Sequence, residues 1–536
     1  MNQALALEIM LSGESVMLTG PAGSGKTYVL NQYITRAKKQ GKHVAVTATT
    51  GLAASHLGGS TIHAWSGIGV SDVLHPKFDE HLLKGRRDII ETTDVLIIDE
   101  ISMLHDYRLD MVEEVARRVR KNDKPFGGIQ VILCGDFFQL PPVNRTDSRE
   151  GGFVVHSEAW EKLDPVICYL EEQHRQDDDI FLEILNALRS GDIRRRHAEA
   201  LLERVGKPPA DAAADVTELY TVNADVDRIN QSRLDALETE GYKYTMTTTG
   251  KESYVETLKR SCLAPEELYI KKGALVMFIK NSPDRRYSNG TIGTVLDFEE
   301  LTHFPIVRLL NGKKVSVGLD TWELRDGDKK RASLSQIPLR LAWAITVHKS
   351  QGMTLDAAKI DLRRAFVEGM GYVALSRVRT LQNLSLVGIN NMALRVSQDA
   401  LEIDDQFRSR ASQDRKRFEH LIAKAEQRAQ DEARRAEELE KRRAQGWSGH
   451  PGDDDDDLGE ADPALLEALK TWRNTKASEA SKPSYIIANN KTLQLIALRK
   501  PADDNELMKV NGMGPKKIEL YGADILKIVE PFLTKG

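Results

Sequence analysis

The segment Gly20–Thr27 reads GPAGSGKT, the full spacing of a phosphate-binding loop: Gly20, Pro21, Ala22, Gly23, Ser24 and Gly25, then Lys26 and Thr27. Such a loop works largely through its backbone. The glycines free N–H groups to wrap phosphates, the lysine reaches the β- and γ-phosphates, and the Thr27 hydroxyl binds Mg²⁺. Hydrolysis of ATP needs two more groups, a carboxylate for the metal and a base for water. Asp99 and Glu100 end the apolar run VLIIDE. Asp99 is placed to hold Mg²⁺ through water, and Glu100 to act as general base on the attacking water. Alone, an acidic pair at a strand end is usually just solvated. Beside a complete phosphate loop the catalytic reading prevails.

Three further residues are candidates for the same site. Gln139, in GDFFQLPPV (Gly135–Val143), closes another apolar run within reach of a γ-phosphate. It reads equally well as a polar cap on the loop before Pro141 and Pro142. Arg175 stands in LEEQHRQ (Leu170–Gln176) and Arg377 in YVALSRVR (Tyr372–Arg379). An arginine that reaches the transferring phosphoryl group is worth about 10³ to 10⁵ in rate, but arginine is also a common surface residue, and position alone does not choose.

These residues need a frame. VMLTG, HVAVTAT, VLIIDE and IQVILCGD are short continuous apolar runs separated by helical patterns, which predicts a parallel sheet covered on both faces. A second region of this kind is expected from near Val166, resuming after Leu339. Between them, from about Lys251 to Leu334, short strands and an Asn-Gly turn predict a small inserted β-barrel. Residues 404–445 are dense in Arg, Lys, Glu and Asp without Gly or Pro, and read as a solvated helix of about 60 Å. GWSGHPGDDDDDLGEADP (Gly446–Pro463) reads as an acidic flexible linker. Helical periodicity returns from Pro463 and predicts a separate small helical domain.

A chain of 536 residues exceeds one core and suits three or four domains. The formal charge of −5 neither supports nor excludes nucleic acid, since a motor needs only one basic channel. The cysteines, Cys134, Cys168 and Cys262, form no zinc pattern and suggest a reducing compartment. No apolar run suits a membrane span, and no secretory signal is present. The expected location is cytoplasmic, with the nucleoid.

In their order, these segments resemble the PIF family of DNA helicases, superfamily-one motors related to RecD. TATTGLAASHLGGSTIHAWSGIG (Thr47–Gly69) is similar to the family's second motif, and Glu100–Gln130, ending PFGGIQ, resembles its signature region. AITVHKSQGMTLD (Ala344–Asp356) and YVALSRVR resemble its last two motifs. The resemblance covers roughly Gln3 to Gly388. It implies that Gln139, Arg175 and Arg377 sense the γ-phosphate and that Gln3 reads adenine. It also implies an α/β architecture of two RecA-like P-loop domains, residues 1–165 and 166–403, that sandwich ATP. The β-rich segment 251–334 would be an SH3-like insert, and residues 63–85 a wedge. Family members move 5′ to 3′ on single-stranded DNA and act in replication, repair or recombination.

A motor that passes over every sequence must grip phosphates and stack on bases. The candidates are Thr50, Gly51 and His63 in the first domain and Thr346, His348, Lys349 and Gln351 in the second, with Gly352 facing ATP. Trp65 reads better as core. One segment, residues 346–352, would therefore touch both ligands.

Residues 463–536 resemble the HRDC domain found at the end of RecQ helicases and ribonuclease D, an all-helical module. Within it NGMGPKK (Asn511–Lys517) resembles a helix-hairpin-helix phosphate contact made by Gly512, Gly514, Lys516 and Lys517. The expected partners are single-stranded and forked DNA. Docking of replication or repair proteins through the HRDC-like domain is the other reading of that turn. A DNA-bound ATPase that remodels protein–DNA complexes without separating strands would use the same engine. A metabolic P-loop kinase lacks the second α/β half.

Overall fold

The computed structural model describes residues 1–69, 72–78, 82–144, 149–172, 178–210, 216–262, 264–280, 282, 286–287, 291–309, 312–326, 329–353, 355, 357–428, 430, 434, 462–479, 487–488, 490–508, 510, 513 and 515–533. The chain forms two compact units, Met1–Gln430 and Asp431–Gly536.

The first unit opens with helix α1 (Gln3–Leu11), strand β1 (Val16–Thr19) and helix α2 (Lys26–Lys39). The other strands of its first sheet are β2 (Val44–Ala48), β3 (Ser60–Thr61), β4 (Val95–Asp99), β5 (Gln130–Cys134) and β6 (Val166–Tyr169). They run parallel in the order β3-β2-β4-β5-β1-β6. Val16, Met17, Leu18 and Val95 to Ile98 have no exposed surface. Burial on both faces explains why these strands are continuously apolar instead of alternating. The phosphate loop leaves the end of β1, and Asp99 ends β4, so the sheet brings two remote segments to one edge.

The strand Val166–Tyr169 corrects the expected domain boundary. Its four residues pair with Val16–Thr19, so β6 completes the first sheet and does not begin the second. A four-residue apolar strand has the same periodicity in either sheet, and only the pairing decides. The second sheet is four-stranded and parallel, in the order Ala344–Thr346, Thr217–Tyr220, Ala358–Leu362, Leu384–Ile389. Its strand Thr217–Tyr220 was not expected, because TELY opens with two polar residues and is too short to read as a continuous apolar run.

The inserted region is antiparallel and wider than expected. It runs from strand Gly241–Thr245 to Leu339–Leu341 and includes a five-stranded sheet, a three-stranded sheet and a strand pair. Helix Glu252–Ser261 lies inside the segment that was read as β throughout.

The charged segment after residue 404 is also corrected. Its helix begins earlier, at Gln398, runs to Arg417 and breaks at residues 418–421 before helix resumes; residues 435–445 of the expected rod lie outside the described residues. Ala400, Ile403, Phe407 and Ala411 are buried at helical spacing. Phe407 stacks on Trp160 at 5.7 Å and meets Phe137 edge-on at 5.7 Å. Asp414 accepts a hydrogen bond from the Ile167 backbone N–H of β6 at 2.9 Å. Residues 422–428 continue as helix, and Lys424 and Arg428 both pair with the buried Glu8 of α1.

The second unit contains helices Pro463–Glu479, Asn490–Arg499, Asp504–Met508 and Pro515–Val529. They close on a core of their own that includes Leu465, Leu469, Leu493, Ile496, Leu507, Ile525 and Val529. Among the described residues, no helix is long and apolar enough to cross a membrane.

Candidate active site and DNA track

The phosphate loop is built by conformations that only glycine adopts easily. Gly20 has φ 147°, and a Cβ there would lie 2.4 Å from the Leu170 carbonyl. Gly25 caps α2 at φ 82°, and a Cβ there would meet the Gln3 amide at 2.2 Å. Gln3 itself donates from Nε2 to the Ser24 carbonyl at 3.0 Å, so the residue expected to read adenine lies against the loop. Lys26 folds back onto the carbonyls of Gly20 and Pro21 at 2.8 and 3.0 Å, and burial lowers its pKa.

A cavity of about 340 Å³ opens over this loop. Lys26, Thr27, Glu100, Gln139, Gly352, Arg377 and Arg379 all line it. It therefore draws on both α/β sheets. Three cationic side chains, backbone amides and the Glu100 carboxylate, with Asp99 next to it in the chain, form a set of groups suited to a triphosphate and a hard divalent cation.

Glu100 stands just past the end of β4 with φ 51°, a left-handed conformation that is costly for a residue with a Cβ. Burial, and then the charge of Asp99, raise its pKa to about 7, against the opposing pull of Lys26 and Gln351. Burial also raises the pKa of Asp99, opposed by a hydrogen bond from Cys134. A base whose pKa sits near the working pH is well matched to proton transfer from water.

Gln351 is where the structure departs most from the expected site. Its Nε2 donates to Glu100 Oε2 at 2.9 Å and to Gln139 Oε1 at 3.1 Å. The side chain is buried beside the nucleotide site, because the turn His348–Ser350 sends it toward the first sheet. Gln139 is thereby placed at the cavity and not as a loop cap alone.

Arg377 is 1% exposed and donates to the carbonyls of Val373, Ser350 and Met353 and to the Ser376 hydroxyl. These bonds fix the guanidinium in the cavity wall. Arg379 shares that wall but escaped the sequence reading, although it lies two residues on in the same segment. Arg175 lies outside the described residues.

A buried polar network behind the loop was also missed. The Tyr372 hydroxyl accepts the Ala22 backbone N–H at 2.9 Å and donates to Asp136 at 3.4 Å. Arg189 spans Asp136 at 2.6 Å and Asp404 at 3.0 Å, and lies over the Phe138 ring. Burial works against the Arg189 charge, but Asp136 and its neighbours hold its pKa well above the ordinary value. The helix Gln398–Arg417 is thus tied through three side chains to the phosphate loop.

Of the residues expected on DNA, Thr50 accepts the Ala53 N–H at 3.2 Å and caps the short helix that Gly51 begins. His63 meets Arg108 at 2.8 Å, and burial, helped by that guanidinium, lowers its pKa to about 4. Trp65 is core. Thr346 is buried, and its hydroxyl accepts the Lys349 N–H at 3.3 Å. His348 and Lys349 remain partly exposed on the turn that follows. In the second unit Gly512 and Gly514 lie outside the described residues, as does the side chain of Lys516; Lys517 sits in the first turn of Pro515–Val529.

Two α/β sheets with a phosphate loop, an acid pair and arginines from the far sheet around one cavity define an ATP-hydrolysing motor of the RecA-like class. Residues 1–199 match the family model of PIF1-like helicases, and residues 462–529 match the HRDC domain. The chain is 41% identical over 481 residues to the ATP-dependent DNA helicase Pif1 of Psychrobacter sp. (strain PRwf-1), covering 78% of this chain and 73% of that protein. Identity to human ATP-dependent DNA helicase PIF1 is 38%, over 74% of this chain and 61% of the human protein. The crystal structure of Candida albicans Pif1 helicase superposes with a TM-score of 0.68 at 33% identity, covering 75% of this chain and 98% of that one. The chain belongs to the PIF1-like helicases, a family of ATP-dependent DNA helicases.

Proposed function

We propose that this helicase translocates 5′ to 3′ on single-stranded DNA and opens forked duplexes in replication, repair or recombination, working at the nucleoid. The observation that carries the reading is Gln351. The segment that presents His348 and Lys349 to the strand also places a side chain on Glu100 and Gln139, so strand position and hydrolysis share one element. Solved Pif1 structures support it: one is of Bacteroides Pif1 bound to single-stranded DNA, and another concerns unwinding at forked double-stranded DNA by two coordinating Pif1 helicases.

In this mechanism the loop amides and Lys26 hold the phosphates, and Glu100 takes a proton from the attacking water. Gln139, Arg175, Arg377 and Arg379 meet charge on the transferring group. Thr27 and Asp99 would hold Mg²⁺, which neutralises phosphate charge when bound. Thr50, Gly51, His63, His348 and Lys349 form the track, and residues 63–85 the wedge. The 241–341 region acts as the SH3-like insert. The HRDC unit contributes auxiliary DNA contacts through Gly512, Gly514, Lys516 and Lys517. The test is unwinding of 5′-tailed against 3′-tailed duplexes with Mg²⁺ and ATP, beside DNA-stimulated ATPase. Unwinding of the 5′-tailed substrate alone is expected. ATPase stimulation without strand displacement on either would mark a remodelling ATPase instead.

A further inference from the structure

Phe366 is the phenylalanine left exposed among the described residues, at 60% of its surface. It lies on the segment between strand Ala358–Leu362 and helix Met370–Leu375, outside every interaction of the nucleotide site. Its ring is nearly parallel to that of His348, with centroids 6.3 Å apart and planes at 19°. Burial lowers the His348 pKa, which keeps the imidazole neutral and suited to stacking. Lys349 follows directly, with Nζ 3.4 Å from Asn223 Oδ1. Arg340, from strand Leu339–Leu341, acts electrostatically on Lys349, with Asp227 as the facing carboxylate. The Arg340 Nε is buried without a hydrogen-bond partner.

We propose that Phe366 and His348 form a two-ring shelf on which a nucleobase of the tracked strand stacks, while Lys349 and Arg340 hold an adjoining phosphate. The inference rests on the reading of His348 and Lys349 as DNA track. A solvent-facing aromatic beside paired cations is the combination by which proteins hold single strands without reading sequence, because every base has a π-face. The shelf and Gln351 flank the same short turn, His348–Ser350, so a base stepping across the shelf would act on the segment that touches Glu100.

The test measures binding of fluorescent oligothymidylate to the full chain over a salt series, with an intact strand and one carrying abasic sites. Phe366→Ala should weaken binding to the intact strand about tenfold, with the salt slope unchanged because no charge is lost. It should bind the abasic strand as the unaltered chain does, and Phe366→Trp should restore affinity. Lys349→Ala should instead lower the slope of log affinity against log salt by about 0.7. The thermal unfolding midpoint of Phe366→Ala should match that of the unaltered chain, since the ring is 60% exposed, and this reports that the variant is folded. If Phe366→Ala weakens both strands equally, or neither, while Lys349→Ala flattens the slope, the shelf is wrong and the track stands. If Lys349→Ala leaves binding and slope unchanged, the track reading falls and the shelf with it.

Discussion

Gln351 Nε2 lies 2.9 Å from Glu100 Oε2, so the candidate catalytic base is held by a side chain 251 residues away in the opposite α/β half. Glu100 adopts a left-handed backbone conformation, and the Gln351 amide holds its carboxylate. Gln351→Ala should therefore lower kcat for ATP by about ten- to a hundredfold, the effect of losing one hydrogen bond to a charged group. KM for ATP should change little, because no loop contact is removed. Steady-state kinetics with and without single-stranded DNA check this, and a raised KM with normal kcat would contradict it.

Asp99 and Glu100 should separate by metal dependence. Glu100→Gln is expected to keep the Mg²⁺ titration of ATP binding and to turn over far more slowly. Asp99→Asn is expected to shift the titration itself. Identical titrations for the two variants would remove the division of roles.

Lys26→Ala should abolish hydrolysis and leave single-stranded DNA binding in place, since Lys26 bonds within the phosphate loop and the proposed track residues lie elsewhere. ATPase and anisotropy measurements on one preparation decide it. Loss of both activities would mean that the loop and the track are not separate.

The network behind the loop should show unequal sensitivity. Arg189→Ala leaves the buried Asp136 without its cation, while Asp404 keeps Arg408, a loss of about 3–5 kcal/mol. Tyr372→Phe removes one hydroxyl and should cost about 1 kcal/mol. Urea unfolding of the first unit reports both, and equal losses would argue against a shared cation.

Removing residues 431–536 should leave an active ATPase, because the first unit is compact without them. Its DNA affinity should fall less steeply with salt if the HRDC turn contacts phosphates. Ending the chain before Gln398 should destroy activity, because it uncovers Phe137 and Trp160 and strips Arg189 of Asp404. Soluble expression and ATPase of the two truncations give the comparison.

The phosphate loop and the Asp99–Glu100 pair were legible because their chemistry is local: spacing within a few residues dictates the turn. The bonds of Gln351 to Glu100 and Gln139 were not legible, because sequence adjacency to His348 and Lys349 does not say which way a side chain leaves a tight turn. Arg189 was invisible, since a buried arginine looks like a surface one until its two carboxylates are found, one 53 and the other 215 residues away. The helix Gln398–Arg417 was misread for a different reason. Ala400, Ile403, Phe407 and Ala411 spell a packed face at steps of three and four, and the density of charge around them hid it.

The bond from Ile167 N–H to Asp414 joins residues 247 apart, and β6 is the last strand of its sheet. An outer strand with open amides is a template for a neighbouring chain. During synthesis the first domain must wait, with that border unsealed, until the ribosome has delivered the entire second domain and the helix behind it. Chaperone demand should therefore peak late in translation, and a nascent chain arrested anywhere between the two should be the form most prone to aggregate.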